Sequence, residues 1–163
     1  MKKKNLQYNI QTLIGDILKT LSLLEKINSK YAVFSVKRSV FSEGFDLMIL
    51  AEIVSDYYTC LETAFVRISK FFENNVDKSK WHSDLLEKMT IDVPGIRKAL
   101  LSELTYAPLK DIMRFRHFKT YYFEMEYDKD RIDFIEKKFL QSFPLVVKSM
   151  KDYILFLESL IKE

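Results

Sequence analysis

Three glycines and three prolines in 163 residues are too few to build the many tight turns that a strand-rich chain needs. A chain so short of turn residues folds into a few long elements, and its apolar pattern says which kind. Leu6, Ile10, Leu13, Ile17, Leu21, Leu24 and Ile27 recur at three- and four-residue spacing. That stripe predicts a first helix over about 5–36. Gly15 inside it costs about 1 kcal/mol against alanine, and is expected to mark the close approach of another helix. Ser42-Glu43-Gly44 breaks the chain. From Phe45 the stripe Leu47, Leu50, Val54, Tyr57, Leu61, Phe65, Ile68, Phe72 predicts a second long helix ending near Asn74-Asn75.

Asp77–Lys80 reads as a polar connector and Trp81–Met89 as a shorter helix. Pro94 restricts Val93 and Gly95 frees the chain, so Ile91–Gly95 is a loop. A short turn is expected over Ile96–Leu101. Pro108 is expected in the first turn of the next helix, where its missing N–H costs nothing. Asp128-Lys129-Asp130 can cap a last helix whose stripe runs from Ile132 through Phe139, Val146 and Tyr153 to Leu160. Pro144 is expected to kink that helix or split it. With no alternating strand pattern, repeat or low-complexity tract, the fold class is all-α. The expected architecture is an up-and-down bundle of about five helices, two of them long, in one domain over 1–163.

The apolar share of 48% against 30% charged places the chain among globular proteins. Cys60, the single cysteine, excludes an internal disulfide and fits a reducing interior. The basic start Met1–Lys4 is followed by no uninterrupted apolar core, so no signal peptide is read, and no run reaches the length of a membrane span. The expectation is a cytoplasmic protein with no membrane association.

The net charge of +3 is concentrated. Residues 110–122 hold four cations, Lys110, Arg114, Arg116 and Lys119, against the single carboxylate of Asp111, and the rest of the chain is neutral in balance. On a helix, Arg114, His117 and Tyr121 share one stripe, Arg116 and Lys119 fall on the neighbouring face, and Ile112, Phe115 and Phe118 supply an apolar anchor. Cations set among aromatic faces suit a partner with phosphates and bases. The plainer alternative is that these cations pair with Glu124, Glu126 and Asp128, or with carboxylates elsewhere.

The run Trp81–Met89, the turn Pro94-Gly95-Ile96-Arg97, and Arg114–Asp128 with the tail after it are similar to the HepT-like proteins, a branch of the HEPN superfamily of ribonuclease toxins. The resemblance implies a dimeric helical bundle whose motif helices meet in a basic cleft and cut RNA without metal or other cofactor. The family motif is an arginine, a polar neighbour, and a histidine after four to six residues, often with a tyrosine two places on. Arg116 matches the arginine and His117 the polar neighbour. Tyr121 stands where the histidine is expected, and Phe123 where the tyrosine is. A phenol near pKa 10 is a far poorer base at neutral pH than an imidazole near 6.5. His117, sharing a stripe with Tyr121 and Arg114, is the substitute base. The resemblance thus makes Arg116, His117 and Tyr121 the catalytic candidates, with Arg114, Lys119 and His82 for RNA phosphate. It also implies a minimal nucleotidyltransferase antitoxin of the MntA type, able to place AMP on Tyr121 or Tyr122. The alternative is a non-catalytic helical partner of such a transferase that uses the motif surface for binding only.

Other candidates have bland readings. His82 can equally be a capping or half-buried histidine; Tyr57, Tyr58, Cys60, Glu62 and Phe65 read as core or helix interface, with Cys60 a small hydrophobe there. Two histidines and one cysteine are too sparse for a zinc site. No glycine-rich phosphate loop or serine-nucleophile elbow is present.

Overall fold

The computed structural model of the protein describes residues 2–42, 44–73, 81–121 and 127–162. Among them five helices follow one another: α1 Lys2–Lys37, α2 Phe45–Glu73, α3 Trp81–Lys88, α4 Glu103–Tyr121 and α5 Lys129–Lys162, with a 3-10 turn at Arg38–Val40. Among the described residues no strand forms; one isolated bridge joins Val93 to Arg97. The result is an all-α bundle of the HEPN-like, up-and-down kind. No described helix is long and apolar enough to cross a membrane.

The stripes bury as their spacing dictates. Ile10, Leu13, Ile17 and Leu24 of α1 meet Leu50, Val54, Leu61 and Phe65 of α2 and Ile135, Phe139, Val146 and Met150 of α5 in one core. α1 packs on α2 and α5, and α4 packs on the same two helices, so α1 and α4 occupy opposite corners. A row of aromatic rings crosses this core. Phe143 lies 5.8 Å from Tyr57, Tyr57 5.0 Å from Phe139, Phe139 5.2 Å from Tyr31, Tyr31 6.4 Å from Phe34, and Phe34 6.1 Å from Phe41, centroid to centroid. The buried Tyr57 hydroxyl is 3.0 Å from Ser142 Oγ, so the phenol is partnered.

Polar cross-links fix the register. Gly44, with φ of 85°, turns the chain into α2. Arg38 then reaches Asp46 at 2.9 Å, Glu136 at 2.9 Å and Asp133 at 3.4 Å, while Tyr31 donates to Glu136 at 2.7 Å. One guanidinium therefore ties the α1–α2 connection to α5.

Three expectations are corrected. Gly15 is exposed, and a Cβ built there meets nothing within 4 Å, so no helix approaches it closely. Pro144 does not split the last helix: α5 runs unbroken over 34 residues and becomes a third long helix. Pro144 lies on an exposed face, and the bond it cannot give would have gone to exposed Leu140, so water can serve that carbonyl. The turn expected at Ile96–Leu101 comes earlier, at Pro94–Ile96, because Gly95 takes φ of 73° there. Ile96 N and Arg97 N then both donate to the Val93 carbonyl, at 2.9 and 3.0 Å.

Candidate functional site

α4 starts five residues before Pro108, so the expectation that Pro108 occupies its first turn is corrected. The cap is Ser102: its carbonyl accepts from Thr105 N at 3.0 Å and Tyr106 N at 2.9 Å, and its hydroxyl lies 3.1 Å from that of Thr105. Capping there outweighs the proline preference, and Pro108 forfeits only its bond to the carbonyl of exposed Leu104. Leu109, Ile112 and Phe115 are buried and set the rotation of the helix.

That rotation divides the cationic run in two. Arg114 and His117 are exposed together on one side. Arg116 and Lys119 turn toward α2, where Arg116 Nη1 donates to Glu62 Oε2 at 2.8 Å and Lys119 pairs with Glu52. The two faces expected from the spacing are thus present, and the second is claimed by carboxylates elsewhere in the chain. Glu62 is only 12% exposed, and the Arg116 guanidinium also lies 5.8 Å from the Tyr58 ring centroid. Held between a half-dry carboxylate and an aromatic face, that guanidinium is a fixed cation rather than one that swings freely in solvent. Burial pushes the Tyr58 phenol well above its ordinary value, Glu62 adds to that, and Arg116 opposes it.

The side facing α5 is built differently. Asp111 pairs with Lys138 at 3.2 Å, and the Arg131 guanidinium sits 4.1 Å from the centroid of Phe118. Asp128, expected as a possible partner for the cations, instead accepts from Asp130 N at 3.1 Å and caps α5. Glu124 and Glu126 lie outside the described residues.

Of the other sequence candidates, Tyr121 is the last residue of α4 and His82 the second of α3, with their side chains outside the described part. Tyr122 and Phe123 lie outside the described residues. Cys60 is half-buried, 3.9 Å from the Thr20 carbonyl, and burial, then Asp56, pushes its thiol up to about 11. Among the described residues no group of three His, Cys, Asp or Glu side chains is placed to hold a metal ion.

The sequence reading set Glu62 at a helix interface but did not give its partner, and it missed Glu52 and the role of Arg97. Glu62 and Glu52 stand 54 and 67 positions before their partners, and no local pattern announces such pairs. Arg97, read only as part of a turn, is a buried clamp: it donates to Glu73 at 2.9 and 3.1 Å, to the Lys88 carbonyl at 2.8 Å and to the Ile91 carbonyl at 3.0 Å. Burial alone would raise the Glu73 carboxyl, but hydrogen bonds from Arg97 and Lys88 outweigh it and hold it below its ordinary value.

The sequence model of the family described as HepT-like protein matches residues 49–157. No curated protein and no solved structure matches the chain. The matched stretch covers nearly all of α2, both ends of the Glu62–Arg116 pair, the Arg97 clamp, the whole of α4 and most of α5. It is more than half of the chain, and the protein belongs to the HepT-like family.

Proposed function

We propose that the protein is a HEPN-type toxin component that acts on RNA as a metal-independent endoribonuclease. The observation that carries the reading is the division of the cationic run of α4, which exposes Arg114 and His117 on one side while Glu62 and Tyr58 hold the Arg116 guanidinium on the adjacent side toward α2. In this scheme His117 takes the proton of a ribose 2′-hydroxyl. The freed oxygen attacks the adjacent phosphorus, the bond to the 5′-oxygen breaks, and that oxygen leaves with a proton as a 2′,3′-cyclic phosphate remains. Arg116 offers N–H donors to the charge that builds on the phosphorane oxygens. Tyr121, one turn beyond His117, completes the catalytic set, with Arg114, Lys119 and His82 meeting phosphates.

The reading extends to one domain over 1–163, a cytoplasmic setting, a homodimer that joins two motif helices, and a nucleotidyltransferase antitoxin that silences the site by placing AMP on Tyr121 or Tyr122.

A second reading is favoured by one feature: Arg116 and Lys119 are both engaged by α2 carboxylates, and Tyr121 fills the place of the motif histidine. On that reading the chain is a non-catalytic partner of the transferase. Incubation with tRNA and mRNA in chelator separates the two. The wild type is expected to cut, with Arg116→Ala and His117→Ala each slower by about a hundredfold or more. Cutting that survives in both variants, or a wild type that cuts nothing, rejects the nuclease.

A further inference from the structure

The α4 cations that face α2 are balanced by carboxylates, whereas among the described residues on the α5 side only Lys138 is, by Asp111. Among the described residues neither Arg114 nor Arg131 is paired with an acid, and both are exposed. Asp111, Arg114 and Phe118 follow at three and four residues on α4, and Arg131, Phe134 and Lys138 at the same spacing on α5, so each set forms one stripe. The two stripes run antiparallel, because Lys138 meets Asp111 and Arg131 meets Phe118. They carry two cation–aromatic pairs, Arg131 at 4.1 Å from the Phe118 centroid and Lys138 at 4.8 Å from that of Phe134, which is 47% exposed.

We infer that single-stranded RNA is bound along this α4–α5 face, its phosphate met by Arg114 and one base stacked on the outer plane of Arg131. The inference rests on the RNA reading above and moves the substrate path off α4 alone. The Arg131 guanidinium carbon sits 4.1 Å from the Phe118 centroid and the side chain is exposed, and a base can stack on a guanidinium as it stacks on an aromatic side chain. Contact with Phe118 restrains the side chain in advance, so little freedom is lost on binding. His117 follows Arg114 by three residues on the same exposed side of α4, so a strand whose phosphate meets Arg114 has the proposed base beside it. Arg116, committed to Glu62, is not needed for capture.

The test is fluorescence anisotropy of a labelled single-stranded RNA at several salt concentrations, with tRNA cleavage scored on the same preparations. Arg131→Ala is expected to weaken binding by about tenfold or more. Arg131→Lys keeps the charge and loses the plane, and is expected to weaken binding several-fold while leaving the salt slope unchanged. Arg114→Ala is expected to lower the salt slope by about one. Lys151→Ala, elsewhere on α5, is the control, and thermal midpoints verify folding. If Arg131→Ala does not fold, the lysine variant decides. Wild-type affinity in Arg131→Lys, or unchanged binding and slope in Arg114→Ala, overturns the path while cleavage by the wild type keeps the RNA reading intact. A wild type that neither binds nor cuts RNA rejects both.

Discussion

Arg97 donates from all three guanidinium nitrogens with its side chain only 1% exposed. Such a charge is tolerable in a dry place only because Glu73 and two carbonyls surround it. Arg97→Ala leaves the Glu73 carboxylate and both carbonyls short of a donor, and should lower stability by about 3 kcal/mol. Arg97→Lys should restore only a minor part, since a point charge cannot fork between three acceptors. Urea unfolding of the three proteins checks both statements. Cys60 gives a second residue-scale test. With its thiol pushed up to about 11, hardly any thiolate exists at pH 8, and a chromogenic disulfide reagent should react on the order of a hundredfold more slowly than with an ordinary cysteine. A rate like that of free cysteine would contradict its packed role. Legibility is uneven at this scale. The small-hydrophobe reading of Cys60 follows from its place among Tyr57, Tyr58 and Phe65. Nothing near Pro94-Gly95 reveals that Arg97 seeks an acid 24 positions away.

The helices themselves were the legible part, because burial periodicity is local: Leu50, Val54, Leu61 and Phe65 are all at or near zero exposure where the stripe put them. Misreadings cluster at glycine and proline, whose effects depend on which face they land on. Pro144 and Gly15 both fall on exposed faces, where a missing bond is hydrated and a missing Cβ is not filled by a neighbour. Gly15→Ala should therefore stabilise the protein by about 0.5–1 kcal/mol, through helix propensity and a less flexible unfolded chain. Thermal unfolding measures it, and a destabilised variant would mean that something does pack on that position. The cationic run was legible as two faces of one helix. That α2 neutralises one of them was not, since it depends on which helices become neighbours.

Helix order around the bundle decides those neighbours, and it also sets the response of the molecule to acid. Glu73 is held below its ordinary value against the pull of burial, and Asp133 is lowered by its hydrogen bond from Lys129 despite some desolvation. A carboxyl depressed in the folded state adds stability above its unfolded pKa and loses it as pH falls through the folded one. Stability should thus be flat from about pH 6 to 8 and decline below about pH 4. Glu73→Gln should flatten part of that decline, in thermal midpoints taken across the range. The row of rings from Phe143 to Phe41 has its own consequence for the bundle. A ring wedged between two others can turn over only when its neighbours draw back, and here those neighbours belong to α1, α2 and α5 together. The half-turn of Tyr57 or Phe139 is therefore a clock for breathing of the three helices as a unit, readable as separate or merged resonances for the two edges of one ring.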